Sequence, residues 1–271
     1  MIVQKHASSP DDEREPRGDQ MLTSQRRRHL LDVLARDGRI VAKAVSTELG
    51  VSEDTIRRDL RDLAGEGRLQ RVHGGALPAS PAVVDFAGRQ RLAPAAKVAI
   101  GRAAAAMVRA GQVVILDGGT TSAQVARHLA PDLAATVVTH SPTIAVELVA
   151  HPSIEVVLIG GRLFKHSVVT VGAAALEALE HVRADVYFMG VTGVHPEAGL
   201  STGDLEEAYM KRALSRHSAE TIVLASAEKL GVASPYVIAP VTEASGLVIE
   251  RDVPESATAA YSALGIAITR A

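Results

Sequence analysis

Residues 117–122 combine the residue types that bind an anion. Two glycines let the backbone approach a ligand closely, and the three hydroxyl side chains that follow add hydrogen-bond donors. If a helix begins here, its first free N–H groups point at the same place, and a phosphate group is a natural ligand for them. An ordinary polar turn between a strand and a helix is the alternative. The candidate ligand contacts are Asp117, Gly118, Gly119, Thr120, Thr121 and Ser122.

A second group of chemically active side chains lies at residues 204–211. Asp204 is a good helix cap, and Glu207 and Lys211 are four residues apart on one helix face. One interpretation is that Asp204 and Lys211 bind the hydroxyls and phosphate of a ligand while Glu207 orients the lysine. The other is a capped helix with a surface ion pair that contributes only about 0.3–0.5 kcal/mol.

Three more loops carry candidate ligand contacts. Ser141 follows a predicted strand, Gly161 and Arg162 follow the next one, and Lys229 lies in a loop near residue 230. An arginine offers a fork of donors that suits a phosphate or a carboxylate. Each of these residues also fits a solvated surface loop, so both interpretations remain open.

No metal ion or cofactor is expected. The ten histidines show neither His-x-His nor His-Glu-x-x-His spacing, and the chain has no cysteine. The sequence also lacks a Walker loop and the Gly-x-Gly-x-x-Gly fingerprint of dinucleotide sites.

A different chemistry is indicated at residues 50–76. Ser52 is a good N-cap for a helix that begins near Glu53, and Ile56, Leu60 and Leu63 form one apolar stripe along it. A short basic hairpin follows. These are the parts of a winged helix-turn-helix, which places one helix in the DNA major groove; the alternative is a small helical domain with a solvated charged face. The candidate DNA contacts are Ser52, Glu53, Asp54, Thr55, Arg57, Arg58, Arg61, Arg71 and His73.

The elements that position these residues follow from the apolar pattern. Ser24 is a candidate cap for a first helix that ends at residues 37–39, and a second helix is predicted at 42–49. Downstream, short apolar strands alternate with helices, which predicts an α/β domain with a mainly parallel sheet covered on both faces. The predicted strands are 113–116, 136–139, 156–159, 186–189, 222–225 and 247–249, and the predicted helices are 122–129, 144–150, 173–181 and 205–216.

These elements define the domains. We expect a disordered tail at 1–20, a winged helix-turn-helix at 21–77, a linker at 78–93 and the α/β domain at 94–271. Met21 is a candidate alternative start.

Composition limits the class of protein. The 271 residues are 47% hydrophobic, enough for a sizeable core, and no apolar run reaches the roughly 18 residues that span a bilayer. We therefore expect no membrane association and, with no signal peptide or cysteine, a cytoplasmic location. Although the formal net charge is −2, residues 21–77 carry 11 basic and 8 acidic side chains. The basic excess is thus local to the predicted DNA-binding part.

The pattern over residues 24–250 resembles the DeoR family of bacterial regulators. The winged segment at 50–76 is similar throughout, the loop at 117–121 matches the family pattern Asp-x-Gly-Thr-Thr, and Thr202, Asp204, Glu207-Ala208 and Lys211 occur in the family order. Two positions depart from the family: His140 stands where Asn is more frequent, and Ser226 where Asp is frequent.

This resemblance implies a function and a fold. It implies a transcription regulator, most simply a repressor of a carbohydrate catabolism operon, whose α/β domain senses a phosphorylated sugar or polyol and resembles ribose 5-phosphate isomerase and CoA transferases in fold. Its partners would be a double-stranded DNA operator and further copies of itself, as a dimer or tetramer. One alternative is an isomerase-like enzyme in which Asp117, Asp204, Glu207 and Lys211 move protons; the other is a DNA-binding protein without an effector. We expect no enzyme activity, because fold alone does not imply catalysis and an isomerase gains nothing from a winged helix.

Overall fold

The computed structural model describes residues 21–271. The predicted disorder of residues 1–20 lies outside the described part of the chain. None of the helices in residues 21–271 is both long enough and apolar enough to cross a membrane.

Residues 23–77 form a winged helix-turn-helix. The chain order is helix α1 (Thr23–Asp37), strand β1 (Ile40–Val41), helices α2 (Ala42–Glu48) and α3 (Glu53–Gly65), and strands β2 (Gln70–Val72) and β3 (Gly75–Leu77). The three strands make an antiparallel sheet in the order β1-β3-β2. Leu30, Ile56 and Leu60 are at most 2% exposed, so the apolar stripe predicted on α3 forms the centre of this core.

The predicted cap of α1 is wrong. The helix begins at Thr23 with Leu22 at the N-cap, and Ser24 lies inside the first turn. The side-chain oxygen of Gln25 accepts from the Leu22 N–H at 3.2 Å and satisfies that donor instead. The end of the helix is as expected, because Gly38 takes a left-handed φ of 69° and donates to the Leu34 carbonyl at 3.0 Å.

The segment between the two parts is structured. A 3₁₀ turn (Pro81–Val83), helix α4 (Phe86–Arg91) and helix α5 (Pro94–Ala105) follow the wing in order. Ala79 pairs with Ala233 as an isolated bridge, which fastens this segment to the α/β part.

The remaining chain alternates strands and helices. The strands are β4 (Val113–Leu116), β5 (Ala135–Thr139), β6 (Ile154–Leu158), β7 (Arg162–Phe164), β8 (Val169–Val171), β9 (Ala184–Gly190), β10 (Gly193–His195), β11 (Gly199–Thr202), β12 (Ser218–Leu224), β13 (Tyr236–Ala239), β14 (Gly246–Ile249) and β15 (Ala267–Arg270). The helices are α6 (Thr120–His128), α7 (Pro142–Leu148), α8 (Ala173–Leu179), α9 (Leu205–Arg216) and α10 (Glu255–Ala263), with 3₁₀ turns at Ala227–Lys229 and Val241–Glu243.

Seven strands form one parallel sheet in the order β15-β14-β12-β9-β4-β5-β6. Separate apolar cores cover its two faces; one contains Tyr187 and Leu214, and the other contains Phe188 and Ile100. The predicted α/β architecture with a doubly covered parallel sheet is confirmed. All six predicted strands are present, with bounds that shift by up to four residues.

Two small sheets were not predicted from the sequence. One has the order β10-β11-β13 and the other pairs β7 with β8. Their strands have only three or four residues each, so they are too short to show the two-residue period by which strands are recognised.

The main sheet has a point where its strand order reverses. From β4 the chain proceeds outward through β5 and β6, then returns to β9 on the other side of β4 and proceeds outward through β12, β14 and β15. In open parallel sheets, ligands bind beyond the carboxyl ends of the strands at this point. The loop at 117–122 follows β4 and therefore lies there.

Candidate functional site

The loop between β4 and α6 has the shape that an anion site requires. Gly119 has a φ of 125°, a conformation that side-chain-bearing residues rarely adopt. A Cβ on Gly118 would lie 2.1 Å from Cγ1 of Val169, so only glycine fits there. The loop turns directly into α6, whose first N–H groups have no partner within the helix.

Asp117 lies behind this loop rather than at the surface of the cavity. It is fully buried, and its Oδ1 accepts from Gly118 N at 2.8 Å and from His140 Nε2 at 2.9 Å. Oδ2 accepts from Gly190 N at 2.7 Å, from the Tyr187 hydroxyl at 2.9 Å and from Lys211 Nζ at 2.5 Å. These five donors leave the carboxylate without free capacity for a ligand.

Charge around Asp117 keeps it ionised. Burial acts to raise the pKa of its carboxyl, but Lys211 and the hydrogen bond from His140 outweigh burial and hold that pKa well below its usual range. The same environment raises the pKa of Tyr187, because burial and the adjacent carboxylate both disfavour a phenolate.

The predicted pairing of Glu207 with Lys211 is replaced by another. Lys211 is 4% exposed and pairs with Asp117, 94 residues away in sequence. Glu207 is also buried, and its Oε2 accepts from the Ser167 hydroxyl at 3.1 Å. The spacing of four residues places both side chains on the inner face of α9, but the lysine is oriented by the strand-end carboxylate.

Two polar groups in the cavity have no partner. Ser122 is 1% exposed, and its hydroxyl makes no hydrogen bond within residues 21–271. Lys229 is 6% exposed, and in the same part of the chain its amino group makes neither a hydrogen bond nor an ion pair. Burial lowers the pKa of Lys229 to about 8; the charge of Glu228 acts to raise this pKa, whereas Lys97, Arg89 and Lys211 lower it further. Buried polar groups are normally satisfied, so these two indicate a place for a ligand.

These groups line one small cavity at the switch point. It lies between the loop after β4, the end of β9, helix α9 and the Ala227–Lys229 turn. Its lining residues are Arg89, Gly118, Gly119, Thr120, Thr121, Ser122, Gly190, Val191, Thr192, Thr202, Glu207, Lys211 and Lys229.

Five of these cavity residues were not predicted as ligand contacts: Arg89, Gly190, Val191, Thr192 and Thr202. Thr192 and Thr202 lie at strand ends, a position that could have identified them. Arg89 belongs to α4, in the segment assigned to the linker, and nothing in its local sequence indicates that it turns toward a loop 30 residues away. Burial lowers the pKa of its guanidinium, which nevertheless keeps its charge.

Besides Asp117, four predicted ligand contacts lie outside this cavity. Asp204 caps α9, where it accepts from Glu207 N at 3.0 Å, and lines a neighbouring cleft with Arg89. Ser141 is fully buried, and its hydroxyl donates to the Val168 carbonyl at 3.0 Å. Gly161 and Arg162 are exposed at the start of β7.

The winged helix presents a basic surface on α3. Ser52 caps this helix and accepts from Thr55 N at 3.2 Å, as predicted. Arg57 pairs with Glu53 at 2.7 Å and with Asp54 at 3.4 Å, so its guanidinium is already occupied. Arg58 and Arg61 are exposed and make no hydrogen bond or ion pair within residues 21–271. They are the α3 cations most available to a nucleic acid.

The predicted wing residues are also exposed. Arg71 lies on β2, and His73 lies in the two-residue turn between β2 and β3. The wing therefore presents two more polar side chains, and β1 adds a third strand to the predicted hairpin.

Comparison with known proteins identifies both parts of the chain. Residues 26–81 match the model of the DeoR-like helix-turn-helix domain, and residues 93–251 match that of the DeoR C-terminal sensor domain. The second match alone covers more than half of the chain.

Two relatives agree with these matches, and one solved structure of another protein is similar at a lower level. The HTH-type transcriptional regulator GlpR of Haloferax volcanii is 36% identical over 78% of this chain and 83% of its own. The HTH-type transcriptional repressor GlcR of Bacillus subtilis is 34% identical over 82% of this chain and 86% of its own. Ribose 5-phosphate isomerase A of Methanocaldococcus jannaschii is 18% identical, with a TM-score of 0.37 over 49% of this chain and 52% of its own. The chain belongs to the DeoR family of DNA-binding transcription regulators.

Proposed function

We propose that this regulator represses a carbohydrate catabolism operon and that a phosphorylated sugar or polyol in the switch-point cavity controls its affinity for operator DNA. The observation that carries this proposal is the buried Ser122 hydroxyl, which makes no hydrogen bond within residues 21–271 and lines the cavity together with Lys229. The names of the relatives, a repressor among them, support the regulatory part.

The cavity offers a phosphate several kinds of donor. The start of α6 supplies backbone N–H groups, Thr120 and Ser122 supply hydroxyls, and Lys211 and Lys229 supply positive charge. Because water is largely excluded, these interactions are stronger than they are at an exposed surface. We assign the phosphate to this end of the cavity and the carbon chain to the side of Thr192 and Thr202.

The remaining predicted residues have indirect roles in this proposal. Asp117 holds Lys211 in place, and Asp204 fixes the start of α9, so neither needs to touch the ligand. Glu207 lines the cavity and is available to a sugar hydroxyl. We assign no ligand contact to Arg162.

The geometry supports binding better than turnover. An isomerase needs a carboxylate that is free to take a proton. Asp117 already accepts hydrogen bonds from five donors, so it has no free oxygen lone pair for this step. Glu207 is the acidic residue in the lining of the cavity, and one of its two oxygen atoms accepts from Ser167. We therefore propose a sensor without enzyme activity, acting in the cytoplasm, where operator DNA is found.

The DNA-binding part of the proposal assigns α3 to the major groove. Arg58 and Arg61 are its main cationic contacts, and Arg71 and His73 on the wing reach the neighbouring phosphates. Operators with two half-sites require two winged domains, so we propose a dimer or a tetramer.

Paired variants test this assignment. Arg58→Ala should weaken operator binding about 10- to 100-fold and leave phosphate binding unchanged, because a base or phosphate contact is worth about 1–3 kcal/mol. Lys229→Met should weaken phosphate binding and leave operator binding unchanged, because Lys229, unlike Lys211, makes no ion pair within residues 21–271 whose loss would destabilise the fold. Arg216→Ala removes an exposed charge far from α3 and is the matched control. Binding is measured by fluorescence anisotropy at one salt concentration; loss of both functions in either variant would contradict separate sites.

A further inference from the structure

His140 makes two hydrogen bonds to oxygen atoms. The side chain is fully buried, and its Nε2 lies 2.9 Å from Oδ1 of Asp117. Its Nδ1 lies 2.9 Å from the Thr170 carbonyl oxygen. The two contacts hold the ring between the end of β4 and strand β8.

Both of these oxygen atoms are acceptors. A carbonyl oxygen has no proton to donate, and Asp117 is ionised because its pKa is held well below the usual range. A neutral imidazole carries a proton on only one nitrogen and could satisfy only one of the two contacts. The other contact would then bring two lone pairs together in a buried, water-excluded place, which is costly.

We infer that His140 is an imidazolium cation that neutralises Asp117, so that the positive charge of Lys211 is left for an anionic ligand. His140 is then a positioning residue that acts through Asp117 and Lys211 without touching the ligand. The second half of the inference rests on the proposed phosphate site, whereas the first half stands on the hydrogen bonds alone.

The charge of His140 changes the net charge at the cavity. Asp117 is bonded to the Tyr187 hydroxyl from β9 and to Lys211 from α9, and Glu207, Lys229 and Arg89 line the cavity beyond. If His140 were neutral, the charge of Asp117 would be balanced by Lys211. With a cationic ring, the His140–Asp117 pair is neutral and the cavity gains one positive charge.

An amide at this position would separate geometry from charge. Asparagine can donate an N–H to Asp117 and so hold the carboxylate, but it brings no charge. His140→Asn is therefore the informative substitution. His151→Asn is the matched control, because His151 lies outside the cavity, where its Nε2 contacts the Ala130 carbonyl.

The charge state can be measured without a ligand. The full-length protein is labelled with ¹⁵N-histidine, and the ring resonances are recorded at pH 7. The His140 signals are identified by their loss in His140→Asn. We expect both ring nitrogens of His140 to show the chemical shift of protonated nitrogen with a directly bonded proton. A nitrogen with the shift of an unprotonated imidazole would overturn the inference, whatever the protein binds.

The effect on binding is measured with inorganic phosphate as the probe. At pH 7 we expect His140→Asn to bind phosphate about tenfold more weakly than the wild type, as loss of one nearby charge at a cost of about 1.4 kcal/mol implies. His151→Asn should bind like the wild type. Thermal unfolding of each variant establishes that it is folded.

The possible failures are distinguishable. Equal phosphate affinity in wild type and a folded His140→Asn would overturn the assigned effect of the charge. If the wild type binds no phosphate, the proposed ligand site is wrong, and the ring resonances alone decide whether His140 is a cation.

Discussion

The two buried lysines of the cavity differ in their electrostatic surroundings. Lys211 donates to the ionised carboxylate of Asp117, which also contacts His140. Lys229 has no such partner within residues 21–271, and burial lowers its pKa to about 8. Lys211 is therefore held in place by a carboxylate and Lys229 is not, although both line the cavity.

Removing the buried charge of Lys229 should stabilise the fold. Below pH 8 the folded protein holds a charge at Lys229 that the unfolded chain solvates better, so ΔG of unfolding for Lys229→Met at pH 7 should exceed that of the wild type by up to about 3 kcal/mol. The gain should shrink as the pH rises from about 8 past 10.5, because the lysine is neutral in both states only above the second value. Urea unfolding at pH 7 and pH 10 measures this. A destabilised variant at pH 7 would show that the Lys229 amino group has a partner that stabilises it.

Anion binding should depend on the same titration. Since the protonated lysine attracts a phosphate, the affinity of the wild type for phosphate should fall as the pH rises through about 8. Lys229→Met should bind more weakly at pH 7 and lose this step. Calorimetric titrations at several pH values test the expectation, and an unchanged step in the variant would assign it to another group.

The buried carboxylate should be essential to the fold. Asp117→Asn leaves Lys211 without its counter-charge, and breaking a buried ion pair typically costs about 3–5 kcal/mol. Glu155→Gln, at an exposed position of β6, should change stability by no more than about 0.5 kcal/mol. Denaturant unfolding of both variants measures the difference. If the Asp117→Asn protein were as stable as the wild type, the five hydrogen bonds that Asp117 accepts would contribute little to the free energy of unfolding.

Helices and strands that have local sequence signals were predicted well, whereas contacts between residues distant in sequence were not. Helix α3 was predicted because Ser52 caps it and its stripe has helical spacing, both of which are local properties. The strands of the α/β part and the glycine turn at 118–119 were predicted for the same reason. The bond from Lys211 to Asp117 spans 94 residues and the pairing of β11 with β13 spans about 35, so no local pattern encodes them. Arg89 was missed because a bridge from residue 79 to residue 233 positions its segment.

The three-stranded wing depends on one glycine. A Cβ on Gly75 would lie 1.7 Å from the Ile40 carbonyl oxygen, where β3 pairs with β1. Gly75→Ala should therefore separate these strands, destabilise the winged domain by at least about 2 kcal/mol and weaken operator binding. The measurements are thermal unfolding and fluorescence anisotropy.

Gly65→Ala is the matched control. An added Cβ there meets nothing within 4 Å, and Gly65 lies in α3, where alanine is the better helix former. It should be neutral or slightly stabilising. Equal effects of the two substitutions would contradict a specific role for Gly75.

At the scale of the whole molecule, the segment after the wing touches the cavity. The Ser80 hydroxyl donates to the backbone carbonyl of Thr192, a cavity residue, and Ser80 N donates to the Ala233 carbonyl at 3.3 Å. On the same segment, α4 contributes Arg89 to the cavity lining. A ligand that moves Thr192 or Arg89 therefore acts on the chain that leads to the winged domain. Such coupling requires the ligand to bind one arrangement of this segment and the winged domain better than another.

Removing the hydrogen bond between Ser80 and Thr192 should reduce the effect of the ligand on operator affinity more than it reduces ligand binding. Ser80→Ala removes the hydroxyl bond to Thr192 and should leave phosphate affinity and ligand-free operator affinity within about threefold of the wild type. The ratio of operator affinities with and without the effector should move toward one. Ser262→Ala, on the exposed end of α10, is the control. An unchanged ratio would place the coupling elsewhere.

We propose that a phosphorylated metabolite in the switch-point cavity changes the affinity of the protein for operator DNA. The most direct test is an anisotropy titration of DNA from upstream of the protein's own gene, at fixed salt, with and without a panel of sugar and polyol phosphates. We predict tight binding that one phosphate shifts at least fivefold in the wild type and shifts less in Lys229→Met. Tight binding that no compound changes would contradict the claim.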